Sequence, residues 1–334
     1  MAGKKKQHYV PQFYLSFFTE DGDHLFVYDK FKREIRPDTT LNVGHENYFY
    51  ELPSKLITDK RRAEGIHEKY IEDRFAELEG RFKPIIEKAI NLLEDQFLSE
   101  ELVQALAVVL TFQILRTRDM RNQIIEGERA YGQALIDSLM KLNFPDLPKG
   151  TATLKVTEGF EAFIHAQHIF DEENIREMAE SLSKMIWVVA VNKTNQPFYT
   201  SDNPVVKDNH IKEIGKRGWL SPGVEINFPL NPNRLLLIYE RTHFKDYEKA
   251  DGCIVTLTEV DEVNEFNRYQ VINSHRQIYS INNDFSLAEN VCDELSEICK
   301  PREKIEVQAS ELIKTDDPNK VTQIISLHSK DDIE

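Results

Sequence analysis

Three short constellations place polar side chains where chemistry would need them. The first is His8-Tyr9-Val10-Pro11-Gln12-Phe13-Tyr14-Leu15, with a histidine and a glutamine four residues apart among aromatics. An unperturbed imidazole titrates near neutral pH, so His8 is a candidate general base or phosphate ligand. With Pro11 in the first turn of a helix, His8 falls near the N-cap and Gln12 inside the helix. The flanking aromatics would lower the pKa of His8 by desolvation, and a nearby carboxylate such as Asp202 would raise it again, leaving it close to neutral. The competing reading is a packed N-terminal helix whose His8 and Gln12 satisfy backbone groups.

The second constellation closes an apolar run. Gln113 and Arg116 are three residues apart, share a helix face and precede Thr117. A buried arginine must be paired or reach a cleft, so Arg116 is either an anion clamp or half of a structural ion pair. The third, Thr200-Ser201-Asp202-Asn203-Pro204, follows a candidate strand at Phe198–Thr200. Asp and Asn bond their own backbone and favour turns. Such a turn also aims Ser201, Asp202 and Asn203 from a rigid edge, where catalytic groups often sit.

Other signals are weaker. His165 and His168 are three apart, but no third metal ligand follows at a recognisable spacing, so a solvated helix face is favoured. Glu64, His67, Glu68 and Glu72 read as a charged surface, since no HExxH occurs. Walker, GxGxxG, GxSxG and paired-cysteine zinc patterns are absent. That removes most support from ATPase, dinucleotide dehydrogenase, α/β-hydrolase and zinc-finger readings.

The elements that must position these groups follow from periodicity. Residues 1–57 read as strand-containing: His24–Lys30 alternates, Asp29–Lys32 supplies a hairpin turn, and Asn47–Leu52 is a further aromatic strand candidate. Residues 60–185 read as a helical block, with helices over 60–94, 99–142, 158–170 and 172–185. Pro84 marks a break in the first, and Ser99 caps the second. Over 186–299 the period becomes β-like at Ile186–Val191, Glu225–Leu230, Leu235–Tyr239 and Cys253–Leu257. A helix at Val260–His275, a strand at Gln277–Ser280 and a helix from Ser286 through Cys299 complete it. Residues 301–334 read as a charged tail, partly disordered. Strands and helices are segregated, so the expectation is one α+β domain over 1–300. Its mixed or antiparallel sheet is built from N- and C-terminal strands, with the helical block between them.

Composition narrows the partners. A net charge of −15 argues against a chain that tracks duplex nucleic acid, though not against a small basic pocket. The cysteines are Cys253, Cys292 and Cys299, an odd number without a CxxC pair. Cys292 and Cys299 on one helix would lie about 10 Å apart, too far for a disulfide. With no signal-peptide pattern and no apolar run of spanning length, a cytoplasmic protein off the membrane is expected.

Several segments occur in a familiar order: KKQHYVPQFYLSFF, Asn47-Tyr48-Phe49-Tyr50, Gln113-x-x-Arg116 and Phe198-Tyr199-Thr200-Ser201-Asp202-Asn203-Pro204-Val205. Asn227-Phe228-Pro229-Leu230-Asn231-Pro232 and Asn273-Ser274-His275-Arg276 follow. Together they resemble the bacterial domain of unknown function 4238 family over most of residues 5–282. Asn231-Pro232 departs mildly from its usual Ser-Pro. The resemblance implies no assigned reaction; it lends an association with anti-phage defence. It also strengthens His8, Gln12, Arg116, Ser201, Asp202 and Asn203 as site residues. The expectation is a nuclease or other phosphodiester hydrolase acting on a compact substrate such as a tRNA nucleotide or a small nucleotide. His8 would be the acid or base, Asp202 would orient it or hold Mg2+ or Mn2+, and Arg116 would stabilise phosphoryl charge. The alternative is a non-catalytic module that senses a phage protein or a nucleotide signal.

Overall fold

The computed structural model describes residues 6–148, 150–154, 159–211 and 218–301, with four short strands between 306 and 328. The chain opens with strand β1 (Lys6–His8), the short helix α1 (Gln12–Leu15), β2 (His24–Asp29), β3 (Glu34–Thr39) and β4 (His45–Asn47). Asp29 turns the β2–β3 hairpin by accepting the Phe31 and Lys32 N–H groups. β1 pairs with β4, setting His8 opposite His45. Beyond Asn47 the chain turns at Tyr48, in the left-handed region at φ 58°, so the strand expected over 47–52 ends early.

The helical block follows as α2 (Asp59–Ala63), α3 (Tyr70–Ile90), α4 (Glu100–Arg116), α5 (Arg118–Asn143), α6 (Phe160–Ile169) and α7 (Glu172–Ser183). Apolar and buried around most of its circumference, α4 is the central helix, with Leu102, Leu106, Leu110 and Ile114 in the core. Ser99 caps it by accepting the Leu102 N–H. α3 continues through Pro84, where the sequence suggested a break. Phe82 and Ile86, buried on either side, hold the helix across the missing ladder bond.

Where one helix was expected over 99–142, there are two. Thr117 leaves the helical region at ψ 156°, ends α4 and caps α5 by accepting the Met120 N–H. The break orphans the last carbonyls of α4, and side chains replace the lost donors. The Thr117 hydroxyl donates to the Ile114 carbonyl (3.1 Å), His165 Nε2 to that of Leu115 (2.8 Å) and the Tyr50 hydroxyl to that of Arg116 (3.0 Å). His165 is therefore a core residue, against the solvated face expected. His168 turns outward to Glu128.

Two sheets carry most of the remaining strands. β2, β3, β6 (Thr200–Ser201) and β11 (Gln277–Ser280) form one antiparallel sheet in the order β3-β2-β11-β6. N- and C-terminal strands thus share a sheet, and the fold is α+β. The second sheet orders β10 (Ile254–Leu257), β5 (Ile186–Asn192), β9 (Arg234–Tyr239), β8 (Val224–Asn231) and β7 (Val206–Asn209), antiparallel except between β10 and β5. β5 is buried on both faces: Trp187 and Val189 join the core around α4, while Val188 and Ala190 join a second cluster with Val263 of α8 (Val260–Asn273). α9 (Ser286–Glu294) stops before Cys299, and the chain re-enters a short 3-10 turn at Ser296–Cys299. In the C-terminal segment β12 (Glu306–Ala309) pairs with β15 (Ile325–His328), and β13 (Ile313–Lys314) with β14 (Val321–Thr322). The rest of the stretch read as a tail lies outside the described residues. No helix among the described residues is long and apolar enough to cross a membrane.

The His165 tie makes stability depend on pH. Burial pushes His165 down to about 3 and His8 down to about 4. In the unfolded chain both titrate near 6.5. Between those values the unfolded state holds more protons, so this stability is full above about pH 6.5 and falls as the pH drops. At pH 5 each ring is expected to cost about 2 kcal/mol. The melting temperature should fall by several degrees from pH 7.5 to 5. His165→Gln keeps an N–H for the Leu115 carbonyl and should show a shallower slope; equal slopes would remove His165 as a cause.

Candidate functional site

Asp202 follows β6 and is fully enclosed. Its Oδ1 accepts the His275 N–H (2.7 Å), and its Oδ2 accepts those of Arg276 (2.8 Å) and Gln277 (2.9 Å). Its own N–H donates to the Gln277 carbonyl at 3.0 Å. On either side, Ser201 Oγ donates to Gln270 Oε1 (2.8 Å) and Asn203 Nδ2 to the Asn273 carbonyl (3.0 Å). The three polar residues expected to project from the strand end grip the junction between α8 and β11. Burial pushes the Asp202 carboxyl up, while His275 and the Gln277 N–H pull it down.

What the grip positions is His275. α8 stops at Asn273 and Ser274 caps it, so the helix expected to run to His275 releases this residue into the clamped loop. His275 Nδ1 lies 2.7 Å from Asp119 Oδ1, and the two side chains are only 12% and 8% exposed. Asp119 sits in the first turn of α5, where the peptide dipoles favour a negative charge. A carboxylate on Nδ1 fixes the tautomer and orientation of the ring, leaving Nε2 for proton transfer. Phe31 packs edge-on against the imidazole, with ring centroids 5.9 Å apart.

Two arginines border the dyad. Arg276 Nε lies 2.9 Å from both oxygens of Asp29, and Arg118 Nε lies 2.9 Å from Glu46 Oε1. Tyr9 lies among the same charges. Burial first, then Asp202, Glu46 and Asp119 against the opposing pull of Arg118, holds its phenol protonated well above the ordinary range. The end of β1, the strand β4, the start of α5 and the β6 turn meet at this residue.

The other expected site residues lie beside this group as structural ties. His8 sits in β1, not at a helix N-cap; its ring meets His45 edge-on at 5.3 Å, and Gln12 Nε2 lies 3.2 Å from its Nε2. Burial, then the basic His45 and Arg116, lower its pKa to about 4. Burial, with the Arg116 cation nearby in place of the carboxylate supposed from sequence, keeps His8 neutral near pH 7. Arg116 is buried, with Nη2 2.8 Å from Glu79 Oε1 and 2.7 Å from the His8 carbonyl, and its guanidinium 4.1 Å over Phe75. Of its two readings this geometry matches the ion pair. Gln113 Nε2 donates to the Tyr9 carbonyl at 3.2 Å.

The N-terminal segment, Gln113–Arg116 and the Ser201–Asn203 turn therefore converge around Tyr9. Asp119 and His275 went unread as a pair. The available signals were an acid two residues after the capping Thr117 and the string Asn273-Ser274-His275-Arg276. Among the described residues, no three His, Cys, Asp or Glu side chains gather to hold a metal ion. If Asp202 is the clamp, Asp202→Asn should cost about 2–3 kcal/mol in urea unfolding, because an amide N–H₂ would face backbone donors. Unchanged stability would rule the clamp out.

Comparison with known proteins gives one match. The family described as "Protein of unknown function (DUF4238)" matches residues 6–284, which includes Tyr9, Asp119, Asp202 and His275. No curated protein and no solved structure matches. With most of its length covered, the chain belongs to the DUF4238 family.

Proposed function

We propose that the chain is a phosphodiester hydrolase, a nuclease effector of anti-phage defence acting in the cytoplasm. The observation that carries this is the 2.7 Å contact between His275 Nδ1 and Asp119 Oδ1, on a loop held by three N–H bonds to Asp202. In this reading Nε2 of His275 takes a proton from the attacking water. The phosphorus bond to the leaving oxygen breaks, and the imidazolium returns the proton to that oxygen. Arg118 and Arg276 stabilise the phosphoryl charge. That role moves from Arg116, whose Nη2 is held in the interior by Glu79 and the His8 carbonyl. The overall charge of −15 favours a compact substrate, such as one exposed tRNA nucleotide or a small nucleotide, over a long duplex.

One observation favours the non-catalytic reading, in which this site senses a phage protein or a nucleotide signal. Both arginines already have carboxylate partners, Glu46 and Asp29, and a binding site could exchange these for ligand anions. Purified protein incubated with total RNA, tRNA, plasmid DNA and nucleotides, with and without Mg2+ or Mn2+, separates the two. Cleavage is expected from the intact chain, with a loss of roughly 10²–10⁴-fold in His275→Gln and Asp119→Asn. His8→Gln should retain most of it. Full cleavage by a folded His275→Gln protein would overturn the dyad. Ligand binding without any cleavage would establish the sensing module.

A further inference from the structure

The β2–β3 turn and the end of α9 meet around two thiols. Cys292 and Cys299 are seven residues apart, and on one continuous helix they would stand about 10 Å from each other. α9 instead stops at Glu294. Leu295 leaves the helical region at φ −123° and ψ 67°, and the 3-10 turn Ser296–Cys299 brings the chain back. Cys299 thereby packs against the cluster of Tyr28, Phe285, Val291 and Cys292, with its thiol in hydrogen-bonding reach of the Cys292 thiol. Both thiols are free; Cys292 is buried and Cys299 only partly so.

Arg33 completes the group from the β2–β3 turn. Its Nη2 donates to the Cys292 carbonyl (2.6 Å) and its Nη1 to Asp293 Oδ1 (3.0 Å), which anchors the guanidinium where it acts on both sulfurs. A fixed cation favours thiolate over thiol. Burial, then the contact with Cys299, pushes the Cys292 thiol up to about 12, while the Tyr28 hydroxyl favours its thiolate. Cys299, nearer solvent, is therefore the sulfur that meets an oxidant first.

We propose that Cys292 and Cys299 form a reversible dithiol–disulfide pair that responds to hydroperoxides. The Cys299 thiolate attacks a peroxide oxygen: the S–O bond forms, the O–O bond breaks, and with hydrogen peroxide the leaving hydroxide takes a proton and departs as water. The Cys292 sulfur, its proton lost to solvent, then attacks the Cys299 sulfenic acid. The S–S bond forms, the S–O bond breaks, and a second hydroxide leaves as water. The sulfurs give up two electrons to the peroxide in all, and a dithiol reductant returns them with two protons. The bond ties the turn before Pro301 to the end of α9. In a reducing compartment such a pair is transient and senses oxidant instead of bracing the fold. Nothing in this chemistry uses His275 or Asp119.

The test is peptide mass mapping of the full chain, reduced and then exposed to hydrogen peroxide. The peptide carrying both cysteines is expected to lose two hydrogens without linking to Cys253, and dithiothreitol should restore it. Closure should be about tenfold or more faster in the folded chain than in urea, because the fold and not the short spacing brings the sulfurs together. Cys299→Ser should abolish the product, and Cys292→Ala should leave a Cys299 sulfenic acid that dimedone traps. Arg33→Gln should slow the first step several-fold. The disulfide should raise the melting temperature by a few degrees, an increase that reductant reverses. Equal rates in the folded and unfolded chains would overturn the proposal. So would thiols that stay reduced under peroxide sufficient to oxidise free dithiothreitol, or a disulfide formed to Cys253 instead.

Discussion

The candidate site depends on one buried carboxylate that accepts consecutive backbone N–H groups. Asp202 receives those of His275, Arg276 and Gln277, and so decides where α8 ends, where β11 begins and how the residue between them is held. An enclosed carboxylate is costly unless its lone pairs are filled, and these donors fill them with backbone rather than mobile side chains. The constraint also reaches the sheet, because Ser201 and Gln277 occupy neighbouring strands. The loop that presents His275 is thereby as rigid as the sheet beneath it.

A second constraint meets the first from the helical side. Asp119 can approach His275 only because α4 stops at Arg116 and α5 starts at Arg118. A continuous helix would carry residue 119 along the α4 axis. The break costs α4 its last ladder bonds, and Thr117, His165 and Tyr50 supply replacement donors from three separate parts of the chain. His165 also explains why a histidine sits in an apolar core: neutral, it is a donor the orphaned carbonyl needs, and burial keeps it neutral.

The fold class and most elements were legible because apolar periodicity survives in the sequence whatever the tertiary context. β5 and β9 are strongly patterned and nearly where periodicity puts them, and α4 starts at the expected Ser99 cap. The α4–α5 break was not legible, since threonine is an ordinary residue within a helix and its capping role depends on tertiary partners. Pro84 misled in the opposite direction, because the buried residues around it outweigh one lost hydrogen bond. At the site, polar residues beside apolar elements were found, and Asp202 and Arg116 have hydrogen-bond partners within the fold. Asp202 and Arg116 are polar and sit in the interior, where polar groups serve as ties. The Asp119–His275 contact joins residues far apart in sequence, and the local signals at each end do not say that the two meet.

α5 begins with the carboxylate of the dyad. Both members of the pair belong to one chain, so the dyad needs no second copy to be complete. The first turn of α5 is thus the element that orients the catalytic candidate, with Asp119 held against His275.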